Sequence, residues 1–188
     1  SNRFSVVLAC RQSGKSISSL AYLLWYALFH GNQTVAILAN KGSTAREMVG
    51  RITLMMENLP FWLQPGCKAA NKSTIEFSNN SRIIASATSG SSIRGMSVNL
   101  LFLDEFAFVP TNVASDFFSS VYPTISSGKS TKVIIVSTPN GMNLFYKLWT
   151  DAENKRNDYV PIEVHWSEVP GRDEAWKEAT IRNTSPEQ

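Results

Sequence analysis

The chain has 188 residues, enough to bury the core of one domain, and its hydrophobic fraction of 43% is too high for a disordered protein. Its net charge of +3 is compatible with nucleic-acid binding but does not demand it, because strong binders usually carry denser basic clusters. No segment approaches the roughly 18 consecutive apolar residues of a membrane span, so we expect no membrane-inserted part.

Apolar runs of strand length alternate with helical stretches along the chain. The predicted strands are residues 4–10, 34–40, 73–77, 81–88, 98–106, 131–141 (with a turn at its end) and 159–166. The predicted helices are residues 14–31, 43–59, 113–126, 142–155 and 172–183. Ser43 or Thr44 is the expected N-cap of the second helix, and the Ser-Asn-Asn turn signal makes 73–77 and 81–88 a hairpin. Continuous Val, Ile and Leu runs between helices predict an α/β fold whose mostly parallel sheet is flanked by helices on both faces.

The first predicted strand runs into the segment ACRQSGKS, which ends as a phosphate-binding loop does. Such a loop needs inward-pointing backbone N–H groups at a helix N-terminus, a lysine and a Mg²⁺-binding hydroxyl. Lys15 would reach the β and γ phosphates of a nucleotide, and Ser16 would hold Mg²⁺. Ala9 replaces the first glycine of the usual pattern, so the segment alone could also be an ordinary strand–turn–helix junction. The predicted nucleotide-binding residues are Arg11, Gln12, Ser13, Gly14, Lys15 and Ser16.

Two further strands end in residues that could act on a nucleotide. Asp104 is placed to support Mg²⁺, and Glu105 could polarise the attacking water, a general-base action worth roughly 10²–10⁴-fold in rate. Ser137 and Thr138 end a third strand and could sense the γ-phosphate. Alone, the acids could be solvated groups, and Pro-Asn-Gly after Thr138 would make a plain turn. Because ligands collect at the carboxyl ends of parallel strands, the three motifs together predict a P-loop domain that hydrolyses ATP.

The same segments resemble a specific family. CRQSGKS, LLFLDEFAFVP and STPNGMNLFYKLW are similar to the ATPase motifs of the large terminase subunit of tailed double-stranded-DNA phages, most closely the T-even type. The segments ILANKGSTAREMV and LPFWLQPG between these motifs also resemble that family. The resemblance covers roughly residues 3–166 and thins out afterwards. In this family the ATPase is a motor that pumps DNA into an empty capsid, so the resemblance implies ATP and Mg²⁺ as cofactors.

The resemblance also suggests why an arginine stands inside the loop. The family tolerates the loss of the first glycine and often carries an arginine there, so Arg11 would act in cis on the phosphates. An arginine at the transition state can be worth roughly 10³–10⁵ in rate. Arg94, in the polar loop 89–95, is the competing candidate and would act in trans on a neighbour's nucleotide in a ring. Either could have a lesser role, Arg11 as a ground-state phosphate contact and Arg94 as the partner of an acid.

Further expectations follow from the resemblance. Ser137, Thr138 and Pro139 would couple hydrolysis to movement. The implied partners are double-stranded DNA, the phage portal protein, the small terminase subunit and other copies of the chain in a ring. The setting would be the cytoplasm of the bacterial host.

Both ends of the sequence look cut, and the N-terminal segment and the C-terminal nuclease domain of the family are not recognisable. We therefore expect one ATPase domain over residues 1–188, with a core at roughly 3–166 and a C-terminal helix or linker at 167–188. We expect no nuclease activity in this chain.

Alternative functions remain open at this point. The chain could be the motor domain of a helicase or another nucleic-acid translocase, in which case a second ATPase-like domain would accompany it. It could also be an assembly module that binds nucleotide without turnover, although such a module has no need of Glu105. Lys68, Lys72 and Arg82 could contact DNA phosphates or form a solvated rim, and we favour the rim.

Overall fold

The computed structural model describes residues 2–64, 66–89, 91–123, 128 and 130–183. Its strands are β1 (Phe4–Ala9), β2 (Thr34–Ala39), β3 (Cys67–Ala70), β4 (Thr74–Phe77), β5 (Arg82–Ala87), β6 (Leu100–Asp104), β7 (Lys132–Ser137) and β8 (Val160–Val164). Its α-helices are α1 (Lys15–Phe29), α2 (Gly42–Glu57), α3 (Thr111–Ser120), α4 (Leu144–Glu153) and α5 (Glu174–Asn183). Short 3-10 helices lie at Phe61–Leu63, Phe106–Phe108 and Trp166–Glu168.

The strands form one sheet in the order β3–β4–β5–β2–β6–β7–β1–β8. The six strands β5–β2–β6–β7–β1–β8 of this order are parallel to their neighbours. Strand β4 is antiparallel to β5, and β3 is antiparallel to β4. The predicted hairpin and the mostly parallel α/β fold are therefore confirmed. Strand β3 was not predicted, because its sequence CKAA has no apolar run and all of its residues are exposed at the sheet edge.

Helices cover both faces of the sheet. In β2, where all residues are buried, Val35 and Ile37 pack with α1 and α2, whereas Ala36 and Leu38 pack with α3 and α4. This alternation is the two-residue period of a strand buried on both sides. Within the described residues, no helix combines the length and apolar character needed to cross a bilayer.

Several element boundaries differ from the predictions. Helix α2 begins at Gly42, because the Ala45 N–H already donates to the Lys41 carbonyl at 3.1 Å, so the N-cap prediction of Ser43 or Thr44 was wrong. The predicted helix 113–126 corresponds to α3, which ends at Ser120, and residues 124–127 lie outside the described part of the chain. Strand β6 ends at Asp104, since the next residue leaves the extended conformation.

The strand order brings together the three strand ends that carry the predicted site residues. Strand β7 lies between β1 and β6, with Leu8 of β1 opposite Ser137 and Asp104 of β6 opposite Val136. The strands are parallel, so their carboxyl ends meet at one edge of the sheet. The loop after β1, the acids after β6 and the hydroxyls after β7 therefore face a common space.

Candidate active site

A cavity of 530 Å³ lies at this edge of the sheet, within the size range of small-molecule sites. Four strands deliver its lining, because residues that follow β1, β2, β6 and β7 all reach it. Its described lining consists of Arg11, Gln12, Lys15, Ala39, Asn40, Lys41, Thr44, Asp104, Glu105, Phe108 and Thr138.

The loop between β1 and α1 has the backbone geometry of an anion-binding turn. Gln12 and Gly14 adopt positive φ values of 57° and 80°. The Ser13 hydroxyl donates to the Cys10 carbonyl at 2.9 Å, which closes the turn. Gly14 is the N-cap of α1 and supplies no side-chain cap, so the first N–H groups of the helix face the loop without a capping side chain. Such a helix start is suited to hold a phosphate.

Glu105 lies where the chain leaves β6, and its backbone is left-handed with φ 48° and ψ 43°. For a residue with a side chain this conformation costs on the order of 1–3 kcal/mol, and such strain clusters at functional sites. The turn brings the Glu105 carboxylate onto the same cavity as Asp104, although neighbours in a strand would point to opposite faces. Glu105 Oε1 lies 2.9 Å from Lys15 Nζ, so the acid and the loop lysine meet directly.

The tip of β7 holds the other oxygen of this carboxylate. Thr138 Oγ1 donates to Glu105 Oε2 at 3.3 Å, and the Thr138 N–H donates to it at 3.4 Å. The Ser137 hydroxyl lies 3.5 Å from the same oxygen and accepts a hydrogen bond from the Ala107 N–H at 3.1 Å. Both hydroxyl residues are buried, with 0% of Ser137 and 4% of Thr138 exposed.

Asp104 is a buried carboxylate, 3% exposed, whose Oδ1 accepts a hydrogen bond from Ser16 Oγ at 3.3 Å. Burial, and then the negative charge of Glu105, raise the pKa of Asp104 from 3.8 to about 6. A carboxylate and a hydroxyl are hard oxygen ligands of the kind Mg²⁺ takes, alongside water and substrate phosphates. A buried carboxylate with a raised pKa gains most from a cation beside it, so this pair fits Mg²⁺.

The other predicted residues fall inside and outside this cavity. Arg11 is exposed and belongs to the lining, as does Gln12. Arg94 and Pro139 are exposed and are not among the described lining residues. A trans role for Arg94 and a coupling role for Pro139 therefore stay predictions.

Sequence reasoning missed two asparagines that support the turn after Glu105. Asn140 Nδ2 and Asn143 Nδ2 both donate to the Ala107 carbonyl, at 3.0 and 2.8 Å. Asn143 also accepts from the Tyr146 N–H at 3.1 Å and so caps α4. The Pro-Asn-Gly signal predicted the turn itself. The hydrogen bonds from this turn to the chain after β6 depend on tertiary structure, so the sequence could not reveal them.

Sequence reasoning also missed Arg172, which precedes α5. Its guanidinium donates to the backbone carbonyls of Arg11 and Gln12 at 2.9 and 3.1 Å. These contacts join the loop between β1 and α1 to a segment that the sequence predicts only as a helix or linker. No residue-type pattern could reveal them, because the acceptors are backbone atoms 160 and 161 positions away.

The basic residues considered for DNA contact lie elsewhere. Lys68 Nζ donates to Asn80 Oδ1 at 2.6 Å, and Arg82 Nε donates to Thr34 Oγ1 at 3.2 Å. Arg82 and Thr34 begin β5 and β2, so they mark the amino ends of the parallel strands, opposite the cavity. Lys72 is exposed in the turn before β4.

Comparisons with known proteins agree with this architecture. The ATPase domain of the large terminase of Thermus phage P74-26 has a TM-score of 0.78 at 19% identity, over 99% of this chain and 85% of that chain. The HK97 bacteriophage large terminase gives 0.73 at 19% identity, over 96% of this chain and 38% of that chain. The large terminase of a thermophilic bacteriophage, solved in complex with ADP, gives 0.70 at 15% identity, over 97% of this chain and 45% of that chain. At these identities the likeness establishes the fold, that of terminase ATPase domains of the P-loop type.

The family evidence comes from sequence. The model of the family described as "Terminase large subunit, T4likevirus-type, N-terminal" matches residues 6–188. The match includes the segment after Trp166, beyond the range of roughly 3–166 over which the motifs alone showed the resemblance. Because it spans almost the whole chain, this protein belongs to the T4-like family of large terminase subunits, in its N-terminal region.

Proposed function

We propose that the chain is the ATP-hydrolysing motor domain that drives double-stranded DNA into a procapsid. The observation that carries this proposal is the 2.9 Å contact between Lys15 Nζ and Glu105 Oε1 in the cavity. It joins the lysine of a phosphate loop to a carboxylate at the end of a neighbouring strand. A module that only bound nucleotide would have no use for that acid in a strained backbone conformation.

The loop and the first turn of α1 would bind the phosphates of ATP. Lys15 would shift its ammonium from Glu105 to the β and γ phosphate oxygens, because several negative oxygens attract it more strongly than one carboxylate. Ser16 Oγ and Asp104 Oδ1 would hold Mg²⁺. When bound, the ion neutralises charge that develops on the phosphate oxygens.

Glu105 would orient the attacking water and accept its proton as the water oxygen bonds to the γ-phosphorus. The bond from that phosphorus to the bridging oxygen breaks, and ADP and phosphate leave. Thr138 would keep the Glu105 carboxylate in place through Oε2, which leaves Oε1 for the water once Lys15 has moved. Positioned general bases contribute typically 10²–10⁴-fold in rate.

Two arginines are alternative candidates for stabilising the transition state. Arg11 lines the cavity beside the loop and would act in cis on the phosphates. Arg94 is exposed, and would act in trans on the nucleotide of a neighbouring copy in a ring. Either arrangement would stabilise the charge that spreads over the γ-phosphate oxygens in the transition state.

Ser137 and Thr138 would couple the γ-phosphate to the rest of the molecule. Their contacts with Glu105 change when the carboxylate engages water, and Ser137 passes the change to the chain after β6 through the Ala107 N–H. Pro139 begins the turn that follows and would stiffen it. This path leads from the cavity to α4.

The remaining partners follow from family membership. We expect double-stranded DNA, the portal protein, the small terminase subunit and further copies of the chain to act with it in the cytoplasm of a bacterial host. The chain covers 38% of the HK97 terminase and 45% of the ADP-bound terminase, so parts of those longer proteins lie outside the region compared. DNA binding by this chain alone should be weak and salt-sensitive, since phosphate contacts weaken steeply with salt.

The test is Mg²⁺-dependent ATP turnover over a wide range of protein concentration. Wild type is compared with Glu105→Gln and Lys15→Ala, and ATP binding is measured beside turnover. We expect Glu105→Gln to bind ATP but to lose turnover by a factor of at least about 10², and Lys15→Ala to lose both.

The concentration series separates the two arginines. A specific rate that rises with concentration and disappears in Arg94→Ala favours action in trans, whereas a constant rate that requires Arg11 favours action in cis. ATP binding without turnover in wild type, under every condition including added DNA, would instead identify a nucleotide-binding module.

A further inference from the structure

The phosphate loop is held from outside by a side chain far along the sequence. Arg172 lies in the turn between the 3-10 helix Trp166–Glu168 and α5. Its Nη2 donates to the carbonyl oxygens of Arg11 at 2.9 Å and Gln12 at 3.1 Å, and its Nη1 lies 3.3 Å from Cys10 Sγ. One guanidinium therefore contacts three consecutive residues of the loop.

These contacts fix two peptide planes. In a trans peptide the C=O and the following N–H point in opposite directions. The carbonyl of Arg11 shares its plane with the N–H of Gln12, and the carbonyl of Gln12 shares its plane with the N–H of Ser13. Because Arg172 holds both carbonyls, both N–H groups point to the opposite side of the loop. Successive N–H groups directed to one side are what makes a turn an anion-binding concavity.

The loop needs such support because one of its residues is strained. Gln12 has φ 57°, a conformation that L residues with a side chain adopt reluctantly. The fork of an arginine can bind two oxygens at once, and its charge strengthens both hydrogen bonds. Arg172 thus stabilises a conformation that the residues of the loop, Gln12 above all, would not favour by themselves.

Arg172 is itself held in place. Its guanidinium carbon lies 4.7 Å from the centre of the Trp176 ring, and Trp176 stacks on Trp166 with 6.0 Å between ring centres. Asp173 Oδ1 accepts from the Trp176 N–H at 2.8 Å, which starts α5 beside the arginine. The guanidinium is therefore oriented by the folded segment 165–183, which we call the C-terminal strap.

We propose that Arg172 is a positioning residue for the nucleotide: through the carbonyls of Arg11 and Gln12 it sets the phosphate loop in its binding shape. The inference rests on the proposed nucleotide site. Because coupling between two binding events is reciprocal, bound nucleotide must also stabilise the docked C-terminal strap, although the strap residues that follow Arg172 need not touch the nucleotide.

The first experiment compares ADP affinity, measured by calorimetry, with the KM and kcat of ATP turnover. We expect Arg172→Ala to raise the Kd for ADP and the KM for ATP about tenfold, within the 5–150-fold range of typical couplings. We expect kcat to change less than about twofold, because the side chains of Lys15, Ser16, Asp104 and Glu105 are untouched and Arg172 holds only the backbone carbonyl of Arg11. The Kd and KM of Arg172→Lys should fall between those of wild type and Arg172→Ala, since an ammonium keeps the charge but cannot bind two carbonyl oxygens as the guanidinium fork does.

Arg182→Ala is the matched control, because Arg182 is an exposed arginine near the end of α5, in the same C-terminal strap, and its replacement should leave every value unchanged. The second experiment follows hydrogen exchange of amides 174–183 in wild type. ADP should slow this exchange, and the effect should vanish in Arg172→Ala. The inference would be overturned if Arg172→Ala bound ADP as tightly as wild type does. It would also be overturned if ADP did not change the hydrogen-exchange rate of amides 174–183 in wild type.

The two proposals fail in different ways. If wild type binds ADP, and Lys15→Ala loses that binding while Arg172→Ala keeps it, the nucleotide site stands and Arg172 has no positioning role. If wild type binds neither ADP nor ATP, the proposed function and this inference fall together. Loss of kcat at unchanged KM in Arg172→Ala would also reject positioning of the nucleotide.

Discussion

Thr138 Oγ1 lies 3.3 Å from Glu105 Oε2, so the end of β7 holds the acid at the end of β6. Thr138→Val removes this hydrogen bond and keeps the shape of the side chain. The Thr138 N–H still reaches the carboxylate at 3.4 Å, so the acid is loosened rather than released. We expect kcat for ATP to fall about 3–10-fold, as for the loss of one weak bond to a charged group. The Kd for ATP should not change.

Thr53→Val is the control for this substitution. The Thr53 hydroxyl donates to the Val49 carbonyl within α2, away from the cavity. It should leave kcat unaltered. A kcat for Thr138→Val equal to that of wild type would show that the Thr138 hydroxyl is not needed to position Glu105.

Burial of Asp104 gives the protein a pH-dependent stability in the absence of Mg²⁺. The pKa of this carboxyl rises from 3.8 in the open chain to about 6 in the fold, so the folded state binds its proton more tightly. The stabilisation that protonated Asp104 gives the folded state is therefore fully present below about pH 4, and it is lost as the pH rises through about 6. The shift corresponds to about 2–3 kcal/mol in the free energy of unfolding.

Asp104→Asn removes this penalty. In EDTA above pH 7 the variant should have a higher free energy of unfolding than wild type, by about 2 kcal/mol, although it should no longer support Mg²⁺-dependent turnover. Urea unfolding at several pH values between 5 and 8 measures the effect. Asp116→Asn, on the exposed face of α3, should follow the wild-type pH profile. A wild-type stability that does not depend on pH in this range would contradict the assigned cost.

The cavity was predictable in outline because its residues carry chemistry at strand ends. Lys15, Asp104, Glu105 and Thr138 each follow an apolar run, and parallel strands bring such ends to one edge. Their order along the chain indicated a shared site. The distances between them, and the left-handed conformation of Glu105, required the structure.

The supports of the cavity were not predictable, because they act on backbone atoms. Arg172 and Asn143 donate to carbonyl groups far away in sequence, and every residue type has a carbonyl. The edge strand β3 escaped for another reason, since an exposed strand needs no apolar pattern. Periodicity reveals what is buried, and these features depend on what is bonded.

Asn79 shows the same limit in a predicted turn. The Ser-Asn-Asn signal indicated the hairpin, but Asn79 Nδ2 also donates to the carbonyls of Ala27 and Leu28 at the end of α1, at 2.8 and 3.0 Å. Asn79→Ala should lower the free energy of unfolding by about 1–3 kcal/mol, because two helix carbonyls lose their partner. Urea unfolding measures this loss, and ATP turnover per folded molecule should be preserved. The exposed Asn112→Ala should change neither. A drop in turnover without a drop in stability would refute a purely structural role.

Asn143 separates two tasks that one side chain performs. Its Nδ2 donates to the carbonyls of Ala107 and Asn140, both at 2.8 Å, and its Oδ1 caps α4. Asn143→Ala abolishes both tasks. It should lower kcat for ATP, and it should lower the free energy of unfolding by about 2–3 kcal/mol.

Asn143→Asp keeps the acceptor that caps α4 but cannot donate to the Ala107 carbonyl. It should therefore recover about 1 kcal/mol relative to the alanine variant, which urea unfolding would detect. Its kcat should stay low, because the turn that presents Glu105 loses one of the two side-chain donors to the Ala107 carbonyl and is held less firmly by Asn140 and Ser137 alone. If Asn143→Asp restored kcat together with stability, the asparagine would serve only as a helix cap. If it restored neither, the donation to Ala107 would dominate both the fold and the site at this point of the chain.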